Sequence, residues 1–267
     1  MGKIIAITNQ KGGVGKTTTT VNLAASLAVT RHSVLLIDLD PQGNATMGCG
    51  IEKNEVEYSS CSLLLDDVEF KDVVVTSEGL GFDVISSNAD LTAAEVELMS
   101  VDERERRLAK ALAPVRADYE YILIDCPPSL NLLTLNALVA ADSVLVPMQC
   151  EYYSLEGLSA LLETFSQVRK SVNPKLDLEG LLRTMFDSRS RLTKEVSNQL
   201  INHFEDKVFR TVIPRNIRLA EAPSHGLPVI KYDKSSKGAL AYLALASEMV
   251  RRDEKEARKN PKEMNKK

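Results

Sequence analysis

An apolar run, Ile4-Ile5-Ala6-Ile7-Thr8, stops at the glycine-rich stretch Asn9-Gln10-Lys11-Gly12-Gly13-Val14-Gly15-Lys16, and a helical pattern follows over Thr17–Thr30. Strand, glycine loop and helix in immediate succession leave few folds open, because the helix must pack back against a sheet of parallel strands. The rest of the chain repeats the alternation. Short Val- and Ile-rich runs predict strands at Val34–Asp38, Phe82–Ile85, Tyr121–Asp125, Val144–Pro147, Gly180–Met185 and Val208–Ile213. Helical patterns occupy Asp90–Ala113, Leu130–Ala140, Ser154–Ser171, Thr193–Phe204 and Gly238 to about Arg252. The expectation is a three-layer α/β fold, a mostly parallel central sheet flanked by helices, with ligands at the carboxyl ends of the strands.

The glycine loop stands at such an end. Gly12, Gly13 and Gly15 let successive backbone N–H groups approach phosphates at the positive end of the following helix. Lys16 adds a charge for the β- and γ-phosphates, Thr17 a hydroxyl for Mg²⁺, and Thr18 falls where an α-phosphate would lie. This is a P-loop NTPase pattern with one departure: Gln10 stands where the general motif has its first glycine, and a second lysine, Lys11, sits inside the loop.

Two further strand ends carry carboxylates. The run Val34–Asp38 leads through Leu39 to Asp40 and is broken by Pro41 and Gly43, so the chain turns where a γ-phosphate would lie. Asp38 and Asp40 would face opposite ways if the strand continued. The run Tyr121–Asp125 ends before Cys126-Pro127-Pro128-Ser129, and an aspartate closing an apolar strand is the arrangement that holds Mg²⁺ beside a phosphate loop.

The stretch Lys11-Gly12-Gly13-Val14-Gly15-Lys16-Thr17 resembles the deviant Walker A motif of the ParA/MinD class of ATPases. That resemblance implies ATP as ligand with Mg²⁺, a weak ATP hydrolase activity, and contact of the nucleotide with the whole loop, Lys11 through Thr18. It also implies that Lys11 reaches across an ATP-dependent sandwich dimer to the partner's nucleotide. The segment at Asp40 is then switch I, with Asp40 polarising the attacking water and standing near the metal with Thr17 and Asp125, and the segment after Asp125 is switch II. Cys126 is expected to be a packing residue.

Within the class, Pro147 through Gly157, Val212 through Asn216, and Arg218 through Gly226 are similar to the small chromosomal ParA proteins, also called Soj. The resemblance places Pro214 and Asn216 by the adenine and implicates Arg189 and Arg218 in non-specific double-stranded DNA binding. It also names a ParB-type centromere-binding protein as partner, with chromosome or plasmid partitioning as the task. The strand before the loop begins by residue 4, which predicts that the helix-turn-helix domain of larger plasmid ParA proteins is absent. A MinD-like membrane-associated regulator is the alternative, disfavoured because the final segment lacks an apolar face. His225 in Pro-Ser-His-Gly is expected to serve structure or an interface, since no neighbour in sequence orients it for proton transfer.

Composition bounds the remainder. With 267 residues, 44% of them hydrophobic, the chain suits one large domain, expected over residues 1–252, with a flexible charged tail at 253–267. The net charge is −4, so a polyanion must be met by a local patch. Residues Arg183 to Lys237 supply one, with eleven Lys/Arg against six Asp/Glu, and Arg191, Lys194 and Arg215 extend the stripe proposed for Arg189 and Arg218. Cys49, Cys61, Cys126 and Cys150 form neither a disulfide framework nor a metal pattern. Ala6 stands where a myristoylation signal needs Ser or Thr, and no stretch approaches the roughly 20 apolar residues that span a bilayer. A cytoplasmic, nucleoid-associated protein without membrane contact is the expectation.

Overall fold

The computed structural model describes residues 2–65, 68–77 and 79–259. Within them, β1 (Lys3–Ile7), β2 (Val34–Asp38), β3 (Val74–Ser77), β4 (Phe82–Ile85), β5 (Tyr121–Asp125), β6 (Ser143–Gln149), β7 (Asp177–Phe186) and β8 (Val208–Pro214) form one sheet. The strand order is β3-β4-β2-β5-β1-β6-β7-β8, parallel throughout except for the β3–β4 pair. The longer helices are α1 (Lys16–Val29), α2 (Leu132–Ala140), α3 (Ser154–Ser171), α4 (Arg191–Phe204) and α5 (Lys237–Lys259).

Strand alternation builds the two cores. Ile5, Ile7, Leu36, Leu123 and Leu145 face α1 and α5, where Leu23, Leu27, Tyr242 and Leu245 meet them. Ile4, Ala6, Ile37, Ile124 and Val146 face the other way, against Leu133, Leu158 and Leu200. Both faces are covered, which is why the predicted strands read as near-continuous apolar runs. Burying one such Leu or Ile stabilises by about 1.5–3 kcal/mol, so the central strands are held firmly from both faces.

All seven strands expected from the sequence are present. β3 was not expected; it is a half-exposed antiparallel edge strand, Val-Val-Thr-Ser, without the buried run that marks the others. The helix expected over 90–113 is broken into Leu91–Glu97, two 3₁₀ turns and Arg107–Leu112. Continuing past Leu98 would have brought Asp102 and Glu105 onto the face that Leu91, Ala94 and Leu98 bury, and the break lets Leu108 and Leu112 rejoin the core instead. The helix expected to end at about Arg252 continues to Lys259. Asp253 pairs there with Lys3 at the start of β1 and accepts a 2.8 Å bond from Tyr121 Oη, which ties the helix to the sheet. Residues 260–267 of the expected tail lie outside the described residues.

β1 lies between β5 and β6, with α1 leading away to β2 on one side while later strands extend the other. This reversal opens a crevice at the carboxyl end of β1, where the phosphate loop lies.

Candidate active site

The loop between β1 and α1 takes its shape from two glycines in left-handed backbone, Gly13 at φ +72° and Gly15 at φ +88°. An L side chain would be strained at either. A Cβ added at Gly12 or Gly13 would meet nothing within 4 Å, so open space lies before the backbone. The loop's carbonyls are taken: Gly13 O by Gln149 Nε2 at 3.0 Å, Val14 O by Thr184 Oγ1 at 2.7 Å, and Gly15 O by the Thr19 N–H at 2.9 Å. Among the described residues no protein acceptor takes the N–H groups of Gly13, Val14 or Gly15. Val14 itself is buried and anchors the loop. A row of free amides, two left-handed glycines and open space before them fit the phosphates of a nucleotide.

The cavity facing these amides has a volume of about 690 Å³ and is bounded by Gly12 to Thr18 without Val14, by Asp40 and Pro41, and by Pro127 and Pro128. Lys16 is only 7% exposed, with Nζ 3.5 Å from Lys11 O and, among the described residues, no carboxylate at ion-pair distance. Burial lowers its pKa, while the charges of Asp125 and Asp40 act to raise it. A buried cation without an ion-pair partner favours an anion in the cavity.

The carboxylates divide into an inner pair and an outer group. Asp38 and Asp125 are in register on the adjacent strands β2 and β5, and both are fully buried. Asp125 Oδ2 accepts from Thr17 Oγ1 at 2.7 Å and Oδ1 from Thr20 Oγ1 at 2.9 Å. Asp38 Oδ2 accepts from Thr46 N–H and Thr46 Oγ1, both at 2.8 Å, and Oδ1 from the Asp40 N–H at 3.1 Å. Burial pushes both carboxyls above the usual range; the charge of Asp38 raises Asp125 further, and the donated hydrogen bonds oppose the shift. Side by side on adjacent strands, the two buried carboxylates repel as anions, and a cation beside Asp125 would offset that repulsion. Among the described residues no three or more His, Cys, Asp or Glu side chains are grouped to hold a metal by themselves. Thr17 and Asp125 would therefore hold Mg²⁺ together with phosphate oxygens. Asp40 stands past the end of β2 and lines the cavity; its Oδ1 accepts from the Gln42 N–H at 3.0 Å, and Ser87 Oγ fixes its carbonyl at 2.6 Å.

A family model described as an AAA domain matches residues 2–178. The sporulation initiation inhibitor protein Soj of Bacillus subtilis is 56% identical over 250 residues, covering 94% of this chain and 99% of that protein. The chromosome partitioning protein ParA of Myxococcus xanthus is 52% identical over 253 residues, covering 95% and 89%. The chain belongs to the ParA/Soj family of chromosome-partitioning ATPases. Among solved structures, one described as cobyrinic acid a,c-diamide synthase from Mycobacterium smegmatis with bound ATP analog and magnesium superposes with a TM-score of 0.82 at 37% identity. The match covers 94% of this chain and 95% of that one.

Against the ParA pattern, Gly12, Gly13, Gly15, Lys16, Thr17, Thr18 and Asp40 all line one cavity, and Asp125 stands behind it on Thr17. Lys11 does not line it. Its side chain is half exposed on the rim, where Nζ pairs with Glu151 Oε2 at 2.6 Å. Pro214 and Asn216, the expected adenine contacts, stand at the end of β8 and do not line this cavity; Asn216 caps a short helix by accepting from the Arg218 N–H at 3.0 Å. Arg189 follows β7 and Arg218 follows β8, so both lie off the carboxyl ends of neighbouring strands, with Lys194 and Arg215 also exposed. Arg189 and Arg218 each carry a counter-ion. Arg189 holds Asp187, whose pKa falls to about 2, and Arg218 pairs with Glu221 at 2.7 Å and Asp233 at 3.4 Å.

His225 stacks on Tyr232, ring centroids 4.9 Å apart, in keeping with a structural role. Cys49, Cys126 and Cys150 are buried, as packing residues are. No described helix is long and apolar enough to cross a membrane. Sequence reasoning missed Asp38 and Thr20 as members of the site. The signal for Thr20 was its helical spacing from Thr17, which sets both hydroxyls on the face toward β5.

Proposed function

We propose that this chain is an ATP-dependent partitioning ATPase whose nucleotide-bound dimer holds DNA without sequence preference and lets go on hydrolysis. The observation that carries the proposal is the division between the two lysines of the loop. Lys16 is buried in the cavity of its own chain, whereas the Lys11 side chain stands outside on the rim in an exposed ion pair with Glu151. Such a surface pair is worth at most about 1 kcal/mol, so Lys11 is released cheaply toward a second chain.

The free amides from Gly13 to Gly15 and the Lys16 ammonium bind the β- and γ-phosphates. Thr17 and Asp125 would hold Mg²⁺, which would supply positive charge to offset that developing on the phosphates. Asp40 orients a water whose oxygen bonds to the γ-phosphorus while the bond from that phosphorus to the β–γ bridging oxygen breaks, leaving ADP and phosphate. Lys11 of the neighbouring chain neutralises the developing charge as an arginine finger does.

In the dimer, Arg189, Arg218 and their basic neighbours form one stripe for phosphate contacts along DNA, so that the ATP-bound protein resides on the nucleoid. A ParB-type partner stimulates hydrolysis and ends the cycle. Pro214 and Asn216 are the proposed contacts to the base. The apolar side of α5 is spent on the sheet and α1, where Ala239, Tyr242, Leu245, Ala246 and Met249 are buried, so this helix offers no support to a MinD-like reading.

The test is ATP hydrolysis measured alone, with DNA, with a ParB-type protein, and with both. A large synergistic rise with both is expected. Turnover indifferent to DNA and partner would leave an ATPase without the partitioning cycle.

A further inference from the structure

Thr184, near the end of β7, plays no part in the site as read from sequence, yet it is bonded directly to the backbone of the phosphate loop. Its hydroxyl donates to Val14 O at 2.7 Å, and its Cβ and methyl group are the nearest atoms, at 3.9 Å, to where a Cβ on Gly15 would fall. Thr184 is 2% exposed, so the bond is shielded from water. On the adjacent strand its register partner Gln149, at the end of β6, donates through Nε2 to Gly13 O at 3.0 Å.

These two bonds set the direction of the loop's amides. In a trans peptide the C=O and the N–H of the following residue point in opposite directions across one rigid plane. Holding Val14 O outward on Thr184 therefore turns the Gly15 N–H inward, and holding Gly13 O on Gln149 turns the Val14 N–H inward. Gly13 and Gly15 are in left-handed backbone and would otherwise let these planes rotate. The glycines permit the cradle geometry, and the neighbouring strands select it.

The end of β7 is itself secured for this task. Arg183, one residue earlier, donates to Ser197 Oγ on α4 and to the carbonyls of Phe209 and Arg210 on β8. Met185, one residue later, has φ +46°, a conformation unfavourable to an L side chain. Its side chain lines the cavity, with Sδ 2.9 Å from Gln149 Nε2. A strained residue held between two anchors at a ligand cavity is where the surrounding structure over-determines the backbone.

We infer that Thr184, assisted by Gln149, is the positioning residue of the phosphate cradle: by fixing the loop's carbonyls it aims the Val14 and Gly15 amides at the nucleotide's phosphates. This rests on the proposed nucleotide binding, and the experiment separates the two. The full chain, its Thr184→Val and Thr184→Ser variants and Gln149→Leu are titrated with a fluorescent ATP analogue and Mg²⁺, with thermal unfolding of each variant without nucleotide as a control.

Thr184→Val, nearly the same in shape, is expected to unfold close to the wild-type temperature yet bind roughly 3- to 10-fold more weakly, the worth of one neutral hydrogen bond. Thr184→Ser keeps the hydroxyl and should bind within about twofold of wild type, since only a methyl contact changes. Gln149→Leu should also bind more weakly. Wild-type affinity in Thr184→Val, or equal weakness in the Ser and Val variants, overturns the inference while leaving nucleotide binding intact. A wild-type chain that binds no ATP removes both.

Discussion

Lys16 and Arg189 serve the same edge of one sheet, but Lys16 is 7% exposed while the Arg189 side chain is 89% exposed. Around Lys16 the chain has fixed nearly everything: two left-handed glycines, carbonyls held by neighbouring strands, and one buried carboxylate, Asp125, behind both Thr17 and Thr20. Around Arg189 and Arg218 it has fixed little beyond exposed ion pairs, each formed within a few residues of the arginine or, for Asp233, from the next short segment. Under the proposed function the contrast follows from the two ligands. Phosphoryl transfer needs atoms held to a fraction of an ångström, and a desolvated cavity strengthens every charge in it. A sequence-independent hold on DNA needs charge at the right spacing, and mobile arginines can follow whatever backbone they meet.

That contrast is open to attack by substitution. The largest effect should come from Asp40→Ala, which lowers the hydrolysis rate by on the order of 1,000-fold while ATP still binds, the usual range for one positioned catalytic group. Normal turnover would move catalysis elsewhere. Lys16→Ala should weaken ATP binding by on the order of 100-fold, as loss of a charge-assisted contact in a buried site does. Retained affinity would remove the cavity's central cation from nucleotide binding. Gly15→Ala, forced to φ +88°, should cost about 1–2 kcal/mol in stability, seen as a lower melting temperature. An unchanged melting temperature would mean that the loop is less rigidly set than the amide geometry implies. At the other region, Arg189→Ala with Arg218→Ala should leave stability within about 0.5 kcal/mol and reduce the salt slope of DNA binding by roughly two, about one per phosphate contact. A marked loss of stability would show that the basic edge is structural, and an unchanged slope would place the DNA face elsewhere.

The same contrast explains what the sequence disclosed. The central strands were legible because both of their faces are buried, so Tyr121–Asp125 and Val34–Asp38 read as apolar runs ending in aspartate. β3 was hidden because an exposed edge strand has no such run. The break after Leu98 was hidden because no glycine or proline marks it; Asp102 and Glu105 carried the only hint, by falling where a continuous helix would bury them. The phosphate loop was legible from its glycines, but Thr184 was not. The bond from Thr184 to Val14 joins residues 170 positions apart, and a threonine in a predicted strand carries no mark of where its hydroxyl goes. Asp38 was noticed in its strand, yet its task, gathering Thr46 and the Asp40 amide into one buried knot, exists only after folding.

The central claim is that one loop serves two chains, Lys16 its own and Lys11 the neighbour's. The direct measurement is molar mass by light scattering after size exclusion, with a non-hydrolysable ATP analogue and Mg²⁺, for wild type and Lys11→Ala, alongside ATP turnover. Wild type should run as a dimer, and Lys11→Ala should bind the analogue but stay monomeric and hydrolyse ATP poorly. A Lys11→Ala protein that dimerises and turns over ATP like wild type would contradict the account.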